Sequence, residues 1–378
     1  MAWAERSLSP RRRRRPRDFG GATAVTENGC FEDPEQFAAE CGLTYVSDET
    51  RGITRQRRGR GFSYRGPSGK PLRDRAALER IRALVIPPAW QDVWICPLGA
   101  GHLQATGRDD LGRKQYLYHA RWIHLRNQGK FSRMLDFGRA LPTIRSGVHE
   151  HLQLDNLSRE KVLGTVVRLL DTTFIRVGNL QYSRQNGAFG LTTLRDRHVE
   201  IQGAKIRFEF QGKSGVQHTV NVKNRQLARI VAECREVPGY QLFQYYDAAG
   251  TRQAIGSNDV NDYLRELTSK DFTAKDFRTW GGSVIALVEL KQRELPDSET
   301  AINKQLVEVV DCVAERLGNT RAVCRQYYIH PSLFAAYEEG WLSQVVQKHR
   351  PSKDGASHAL DPNEQLLMKV MRRHRRAC

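Results

Sequence analysis

The chain has 378 residues, enough for two domains of about 150 residues each, or for one domain with tails. Its 60 lysines and arginines against 42 aspartates and glutamates leave a net charge of +18, which predicts a polyanionic partner, nucleic acid before an anionic membrane surface. The longest apolar runs fall far short of the ~20 residues that cross a bilayer, which excludes a membrane-spanning protein and leads us to expect an intracellular one.

The N-terminal residues 1–42 are expected to form a disordered basic arm. An unbroken run of arginines occupies positions 11–15 and is followed by Pro16 and Arg17. A block of like charge without apolar partners cannot bury enough surface to fold. Such an arm could be a solvating or targeting tail, or it could bind DNA, and the sequence leaves both possibilities open.

Residues 43–126 carry the signs of a small β-rich domain. A second basic run at 55–60 leads into the turn-rich segment 66–69, which indicates short strands joined by tight turns. A further hairpin is indicated between Trp90 and Thr106. The one clear helix candidate in this part covers 78–84.

Residues 127–345 are predicted to be mainly helical, because the apolar period changes from about 2 to about 3.6 residues near Phe131. Gly318 stands where a helix terminates and Thr320 can cap the short helix that follows. The helices predicted from this pattern cover 161–177, 258–267, 274–290 and 300–317.

A β interruption inside the helical region gives the strongest hairpin signal of the chain. Apolar and polar residues alternate over 206–211 and 216–222, and the turn Gly212-Lys213-Ser214-Gly215 joins the two runs. Residues 346–378, which end in a basic cluster at 372–376, are predicted to be a loosely ordered basic tail. The fold class is therefore α+β, with a small β-rich N-terminal domain before a helical domain that contains a small antiparallel sheet.

Several side chains could carry chemistry, although each also has a plain structural reading. Arg176 is expected near the C-terminal end of the 161–177 helix, on its polar face, where most arginines only meet solvent. Lys213 occupies a hairpin tip, and lysine is often found at such tips only because they are exposed to solvent. Lys275 and Arg278 fall in a predicted first turn, and a helix N-terminus attracts phosphate. Asn319 lies nine residues before Tyr328.

Taken together, Arg176, Lys213, Arg278, Asn319 and Tyr328 resemble, in order and spacing, the active site of the type IB DNA topoisomerases, in their poxvirus-like bacterial branch. The resemblance extends over about residues 43–337. Its motifs lie at 107–109, 112–118, 172–179, 190–194, 212–215, 275–279 and 317–328.

The resemblance implies that Tyr328 attacks a DNA phosphodiester and forms a 3′-phosphotyrosine. Arg176 and Arg278 would hold the non-bridging phosphate oxygens, and Lys213 would protonate the departing 5′ oxygen. Asn319 stands where related enzymes often have histidine, and an amide can donate a hydrogen bond but cannot serve as a proton acid. Tyr327 would then be a packing neighbour, because only Tyr328 keeps the nine-residue step from Asn319.

The resemblance further implies a monomer that clamps double-stranded DNA, in the cytoplasm and associated with the nucleoid. Gln115, Tyr116 and Tyr118 match DNA-contacting positions on the N-terminal side, and Tyr182 matches one on the C-terminal side. Lys275 is a further candidate for DNA binding. Tyr116 and Tyr118 could instead pack within the fold, because alternate residues of a strand share a face.

No cofactor is expected. Arginines and a lysine would supply the positive charge, so a divalent metal is not needed, and a phosphotyrosine keeps the bond energy without ATP. The seven cysteines are odd in number and have no CxxC spacing, which suggests neither a disulfide framework nor a zinc site.

Two alternatives remain open on the sequence. A tyrosine recombinase performs the same transesterification, but such enzymes usually have His-x-x-Arg where this chain has Lys275-x-x-Arg278, and a histidine where it has Asn319. A DNA-packaging protein would use only the arginine runs. That protein would also bind DNA in a salt-sensitive way, but it would form no covalent adduct.

Overall fold

A computed structural model describes residues 34–59, 61–110, 112, 114–351 and 358–377. Residues 1–33, most of the predicted basic arm, lie outside the described part of the chain. The predicted arm ends earlier than expected, because residues from Pro34 onward form a helix. Phe37 of that helix is buried and packs on Trp122, with ring centroids 4.9 Å apart. The distant partner Trp122 explains why composition alone did not reveal this contact.

The N-terminal part is built around one antiparallel sheet. The elements are α1 (Pro34–Glu40), β1 (Ile53–Arg58), β2 (Gly61–Arg65), α2 (Arg75–Ala83), β3 (Gln91–Ile95), β4 (Leu103–Arg108) and β5 (Lys114–Tyr118). The strands are ordered β2-β1-β3-β4-β5 in the sheet, and a compact cluster that includes Ile53, Ile81 and Ile95 fills one side. The helix predicted at 78–84 is α2, which begins earlier because the Asp74 side chain caps it by accepting from Ala76 N.

The remainder is mainly helical and shares a single large apolar core. Its elements are α3 (Ala120–Ser132), α4 (Met134–Leu152), α5 (Arg159–Thr173), α6 (Leu180–Asn186), β6 (Val199–Gln202), β7 (Lys205–Gln211), β8 (Gln217–Lys223), α7 (Arg225–Glu236), β9 (Gln244–Tyr246), β10 (Arg252–Ala254), α8 (Ser257–Thr268), α9 (Ala274–Leu290), α10 (Glu299–Leu317), α11 (Arg321–Tyr327), α12 (Pro331–Glu338), α13 (Leu342–Gln347) and α14 (Pro362–Ala377).

The small sheet confirms the predicted hairpin. Strands β7 and β8 pair antiparallel, with Phe210 opposite His218, and β7 alternates exposed and buried residues along its length. Strand β6 pairs with the other edge of β7. The apolar side chains of β7, Ile206, Phe208 and Phe210, all enter the main core, so the strand is anchored along its length, and the turn residues 213–217 are exposed.

The C-terminal segment differs from the prediction. Instead of a loose basic tail, its described part from residue 358 ends in α14, whose Leu366, Leu367 and Met368 are buried in the main core. Trp280 on α9 donates to Glu364 Oε1 at 2.9 Å, and Arg145 on α4 forms an ion pair with the same carboxylate at 2.7 Å. The basic cluster led to the prediction of a loose tail, but the segment is an amphipathic helix whose packing partners lie far away in sequence.

Candidate active site

The C-terminal end of α10 brings the two candidate arginines together. Arg278 donates to the Leu317 carbonyl at 2.8 Å, and Arg176 donates to the next carbonyl, that of Gly318, at 3.0 Å. Arg176 also donates to the side-chain oxygen of Asn319. The last carbonyls of a helix lack intrahelical partners and carry its negative dipole end, so they suit guanidinium groups. The structure thus brings Arg176, Arg278 and Asn319 to one corner.

Arg176 reaches this corner from a loop, which corrects the helical placement predicted for it. Helix α5 ends at Thr173, and Phe174 adopts a left-handed conformation with φ 56° and ψ 19°. The carbonyl of Arg176 then accepts from Leu191 N at 2.9 Å instead of continuing a helix. Periodicity could not reveal this ending, because a left-handed phenylalanine is uncommon and long-range pairing holds it here.

Tyr328 follows α11 directly and lies against Arg278, whose guanidinium carbon is 5.2 Å from the centre of the phenol ring. Helix α9 holds its backbone closely: a Cβ on Gly282 would lie 2.6 Å from the Tyr328 carbonyl oxygen. The hydroxyl of Ser283 accepts from His330 N at 2.9 Å, just past the tyrosine. These contacts fix the candidate nucleophile beside a buried cation.

Two buried N–H donors at the site, Nε of Arg278 and Nδ2 of Asn319, have no hydrogen-bond partner among the described residues. Arg278 is 4% exposed. Burial lowers the pKa of Arg278, while the charge of Tyr328 and a hydrogen bond with it act in the opposite direction. Unsatisfied buried donors are rare and costly, so their presence beside a guanidinium favours an anionic ligand with several oxygens.

Lys213 lies in the turn between β7 and β8, exposed to solvent, with its neighbour Ser214 in a left-handed conformation at φ 66°. His218 connects this turn to the arginine corner. A Cβ at Gly212 would lie 2.5 Å from Cδ2 of the imidazole, and a Cβ at Gly318 would collide with Cε1 of the same ring. The turn end of the hairpin therefore packs on the α10 terminus, and Lys213 lies in the exposed turn next to that contact.

The predicted DNA-contacting residues of the N-terminal part lie on β5. The rings of Tyr116 and Tyr118 stack with centroids 6.1 Å apart, and Tyr116 is 47% exposed. Burial raises the pKa of Tyr118, with an opposing effect from Arg126 and a smaller raising effect from Tyr327, the neighbour of Tyr328. Gln115 donates to Asp109 at 2.8 Å. Tyr118 on this edge strand therefore lies within electrostatic range of Tyr327.

The two remaining candidates lie on α9 and α6. Lys275 is exposed in the first turn of α9, two residues after the N-cap residue Thr273, which forms a capping box with Asp276. The backbone of Tyr182 belongs to α6, and its side chain lies outside the described part of the structure.

Sequence reasoning missed three residues that shape the site: Lys130, His218 and Ser283. Lys130 Nζ is 5.1 Å from the centre of the Tyr328 ring. Burial, followed by the charges of Arg176 and Arg278, lowers the pKa of His218. Only His218 left a sequence signal, since it lies near the strongest hairpin turn. The other two are single residues on long helices.

Within the described part of the chain, no group of three or more His, Cys, Asp or Glu side chains is arranged to hold a metal ion. No helix among those residues is both long enough and apolar enough to cross a bilayer.

Comparison with known proteins agrees with this geometry. Residues 119–351 match the family model of the catalytic core of eukaryotic DNA topoisomerase I, and residues 61–109 match that of the N-terminal domain of bacterial DNA topoisomerase IB. These matches decide against a recombinase or a packaging protein.

The individual relatives include viral and eukaryotic proteins. DNA topoisomerase 1B of Acanthamoeba polyphaga mimivirus is 30% identical over 285 residues, which cover 74% of this chain and 85% of the relative. DNA topoisomerase I of Monkeypox virus is 22% identical over 64% of this chain and 75% of its own length. DNA topoisomerase 1 of Schizosaccharomyces pombe is 25% identical over 61% of this chain and 28% of its own length. The chain belongs to the type IB DNA topoisomerase family.

Proposed function

We propose that Tyr328 is the nucleophile with which this topoisomerase relaxes supercoiled DNA, by cutting and rejoining one strand. The observation that carries the proposal is the convergence of Arg176 and Arg278 on adjacent carbonyls at the end of α10, next to Tyr328. A phenol has an ordinary pKa of about 10 and is a poor nucleophile at neutral pH, so it needs cationic neighbours. Arg278 is such a neighbour.

In the proposed reaction, Tyr328 loses its phenolic proton to solvent and its Oη attacks the phosphorus as the phenolate to form a 3′-phosphotyrosine, while the bond from phosphorus to the 5′ oxygen breaks. Negative charge grows on the two non-bridging oxygens as phosphorus becomes five-coordinate. The guanidiniums of Arg176 and Arg278 and the free amide donor of Asn319 stabilise that charge. Because these donors are already oriented, they need little reorganisation during the step.

Lys213 is proposed to give the departing 5′ oxygen its proton. The exposed turn allows the ammonium to enter a groove of the duplex, and the packing of His218 beside the turn sets where Lys213 can reach. The rejoining step runs in reverse: the 5′ hydroxyl attacks the phosphotyrosine, Lys213 accepts its proton, and Tyr328 leaves. The phosphotyrosine conserves the energy of the broken bond, so relaxation is proposed to need neither ATP nor a metal ion.

We propose that a single copy of the chain closes around double-stranded DNA, with residues 43–126 on one side and 127–345 on the other, in the cytoplasm and associated with the nucleoid. The DNA contacts would come from Gln115, Tyr116 and Tyr118 on β5, with Tyr182 and Lys275 opposite. The exposed ring of Tyr116, which stacks on the partly buried ring of Tyr118, supports this role, because such rings suit contact with the DNA backbone.

The direct test is relaxation of supercoiled plasmid in EDTA without ATP. We expect the wild-type protein to relax the plasmid and Tyr328→Phe to be inactive, because phenylalanine lacks the attacking oxygen. Tyr327→Phe is the matched control, since it removes the neighbouring hydroxyl and should leave most activity intact. Relaxation by Tyr328→Phe would reject Tyr328 as the nucleophile.

A further inference from the structure

Helix α3 joins the N-terminal part to the segment that carries Tyr328. Near its first turn, Trp122 is 5% exposed and packs on Phe37 and on His102, with ring centroids 4.9 Å and 4.6 Å away. This end of α3 is therefore fixed to the N-terminal part of the chain.

The C-terminal half of α3 contacts the segment that leads into Tyr328 through two side chains. Asn127 donates to the carbonyl of Gln326 at 3.3 Å, and the Lys130 ammonium donates to the carbonyl of Tyr327. These are among the last carbonyls of α11, which have no partner within their own helix. Two side chains of α3 therefore cap the turn from which Tyr328 extends.

Lys130 also faces the phenol itself. Its Nζ is 5.1 Å from the centre of the Tyr328 ring, a distance typical of a cation–π contact. The charged groups of α9 that act on it are Lys275 and Asp276. Burial, followed by repulsion from Lys275, lowers the pKa of Lys130 to about 7, and Asp276 acts in the opposite direction. In the protein without DNA, the charge of this lysine therefore changes near neutral pH.

We propose that Lys130 is a positioning residue for cleavage: it caps the turn that carries Tyr328, and its positive charge favours the phenolate during attack. The inference rests on the proposed role of Tyr328. It adds a third cation, supplied by α3, to the two arginines that hold the phosphate. The charge acts at the nucleophile, whereas Arg176 is held at the phosphate corner by Gly318 and Asn319.

The two contributions have different pH dependences. Below the pKa of Lys130 the ammonium is present and supports the phenolate, and above it the neutral amine gives no such support. A bound DNA phosphate raises that pKa, because a nearby negative charge favours the ammonium. The benefit of the charge is therefore largest near pH 6 and is lost toward pH 9.5, as the pH rises through the pKa that Lys130 has beside bound DNA. The hydrogen bond to Tyr327 does not depend on the charge.

Single-turnover cleavage of a DNA duplex, measured from pH 6 to 9.5, separates these contributions. Lys130→Gln keeps a donor for the Tyr327 carbonyl but has no charge, so we expect it to cleave about 10-fold more slowly than wild type at pH 6 and to approach wild type at pH 9.5. Lys130→Met lacks both the hydrogen-bond donor and the charge, so it should cleave more slowly than wild type at every pH. Lys130→Arg remains charged and should keep its rate advantage over Lys130→Gln at high pH.

Lys348→Met is the matched control, because Lys348 is exposed beyond α13 and should leave the pH profile unchanged. The methionine variant at position 130 is expected to fold, since it removes a buried charge. A ratio of wild-type to Lys130→Gln rates that stays constant across the pH range would overturn the role of the charge. Tyr328→Phe in the same assay identifies the other failure: if that variant still forms an adduct, the proposed nucleophile is wrong.

Discussion

The two sides of the candidate site are built in opposite ways. Arg278 is almost fully buried and donates to carbonyls on two different segments, those of Phe174 and Leu317. Lys213 is exposed, and its ammonium forms no hydrogen bond or ion pair within the described part of the chain. The phosphate side is thus preorganised by the core, whereas we infer that bound DNA positions the acid. Substitutions on the two sides should therefore fail differently.

The largest effect is expected at the exposed side. Lys213→Ala should slow cleavage by about 10³-fold, because the departing oxygen loses its acid, while leaving thermal stability unchanged. A substrate with a 5′-thiolate leaving group needs no proton and should restore most of the rate. Lys223→Ala, at the far end of β8, is the control and should behave as wild type. Absence of thiolate rescue would count against a general acid at position 213.

A smaller loss of rate, with a loss of stability, is expected at the buried side. Arg278→Met should slow cleavage by about 10²-fold, because one preorganised donor to the phosphate is removed. It should also lower the free energy of unfolding by about 1–3 kcal/mol, since the Phe174 and Leu317 carbonyls lose their partner.

The same 5′-thiolate substrate and a denaturation curve distinguish the two sides. No thiolate rescue is expected for Arg278→Met. Rescue of this variant, or unchanged stability, would remove the distinction between the preorganised side and the exposed side.

His218 contacts both the turn that carries Lys213 and the α10 terminus that holds the arginines. Its removal should therefore slow cleavage less than either substitution above and should be only partly rescued by the thiolate substrate. His218→Ala should slow cleavage by about 10-fold, because the turn end of the hairpin loses its contact with Gly318 and Lys213 is placed less accurately. Partial rescue by the thiolate substrate would agree with this role. His218→Phe, which keeps a ring in the same slot, should recover more activity than alanine, and equal rates for the two variants would contradict a packing role.

The smallest effect on chemistry is expected at the C-terminal helix, behind the preorganised side. Burial disfavours the charged form of Glu364, but hydrogen bonds from Arg145 and Trp280 outweigh it, so the pKa of Glu364 lies below its ordinary value. Glu364→Ala should lower the free energy of unfolding by about 3–5 kcal/mol, because Arg145 loses a buried partner. Cleavage at low temperature should change little.

The stability from Glu364 also has a pH signature. A carboxylate with a lowered folded pKa contributes above its unfolded value of about 4.3 and loses that contribution as the pH falls through the folded value. Wild type and Glu364→Ala should therefore converge in stability toward acidic pH. Parallel stability curves from neutral to acidic pH would contradict the pairing.

Much of the fold follows from local patterns in the sequence. The prediction of a helix over 274–290 is met residue for residue by Ala274–Leu290, and Gly318 ends α10 in a left-handed conformation at φ 58°. The Thr320 side chain caps α11 by accepting from Val323 N. The alternation in β7 predicted its buried face. Caps, breakers and periodicity act within a few residues, so they can be inferred without knowledge of the packing.

The features that the sequence did not predict depend on contacts between distant segments. The ending of α5 at Phe174 depends on pairing with a segment more than ten residues later, and the folding of α14 depends on Arg145 and Trp280. Lys130 acts only because α3 reaches α11. None of these contacts leaves a local pattern. The candidate residues Arg176, Lys213, Arg278, Asn319 and Tyr328 came from resemblance to a family, and the geometry explains why such distant positions can act together.

The central claim is most directly tested by trapping the covalent intermediate on a nicked duplex, from which the short downstream fragment with the new 5′ hydroxyl dissociates after cleavage, and then locating the attached nucleotide by peptide mass spectrometry. The account predicts a 3′-phosphoryl adduct on Tyr328, which Tyr328→Phe abolishes and Tyr327→Phe retains. An adduct on Tyr327, or efficient relaxation without any protein–DNA adduct, would contradict it.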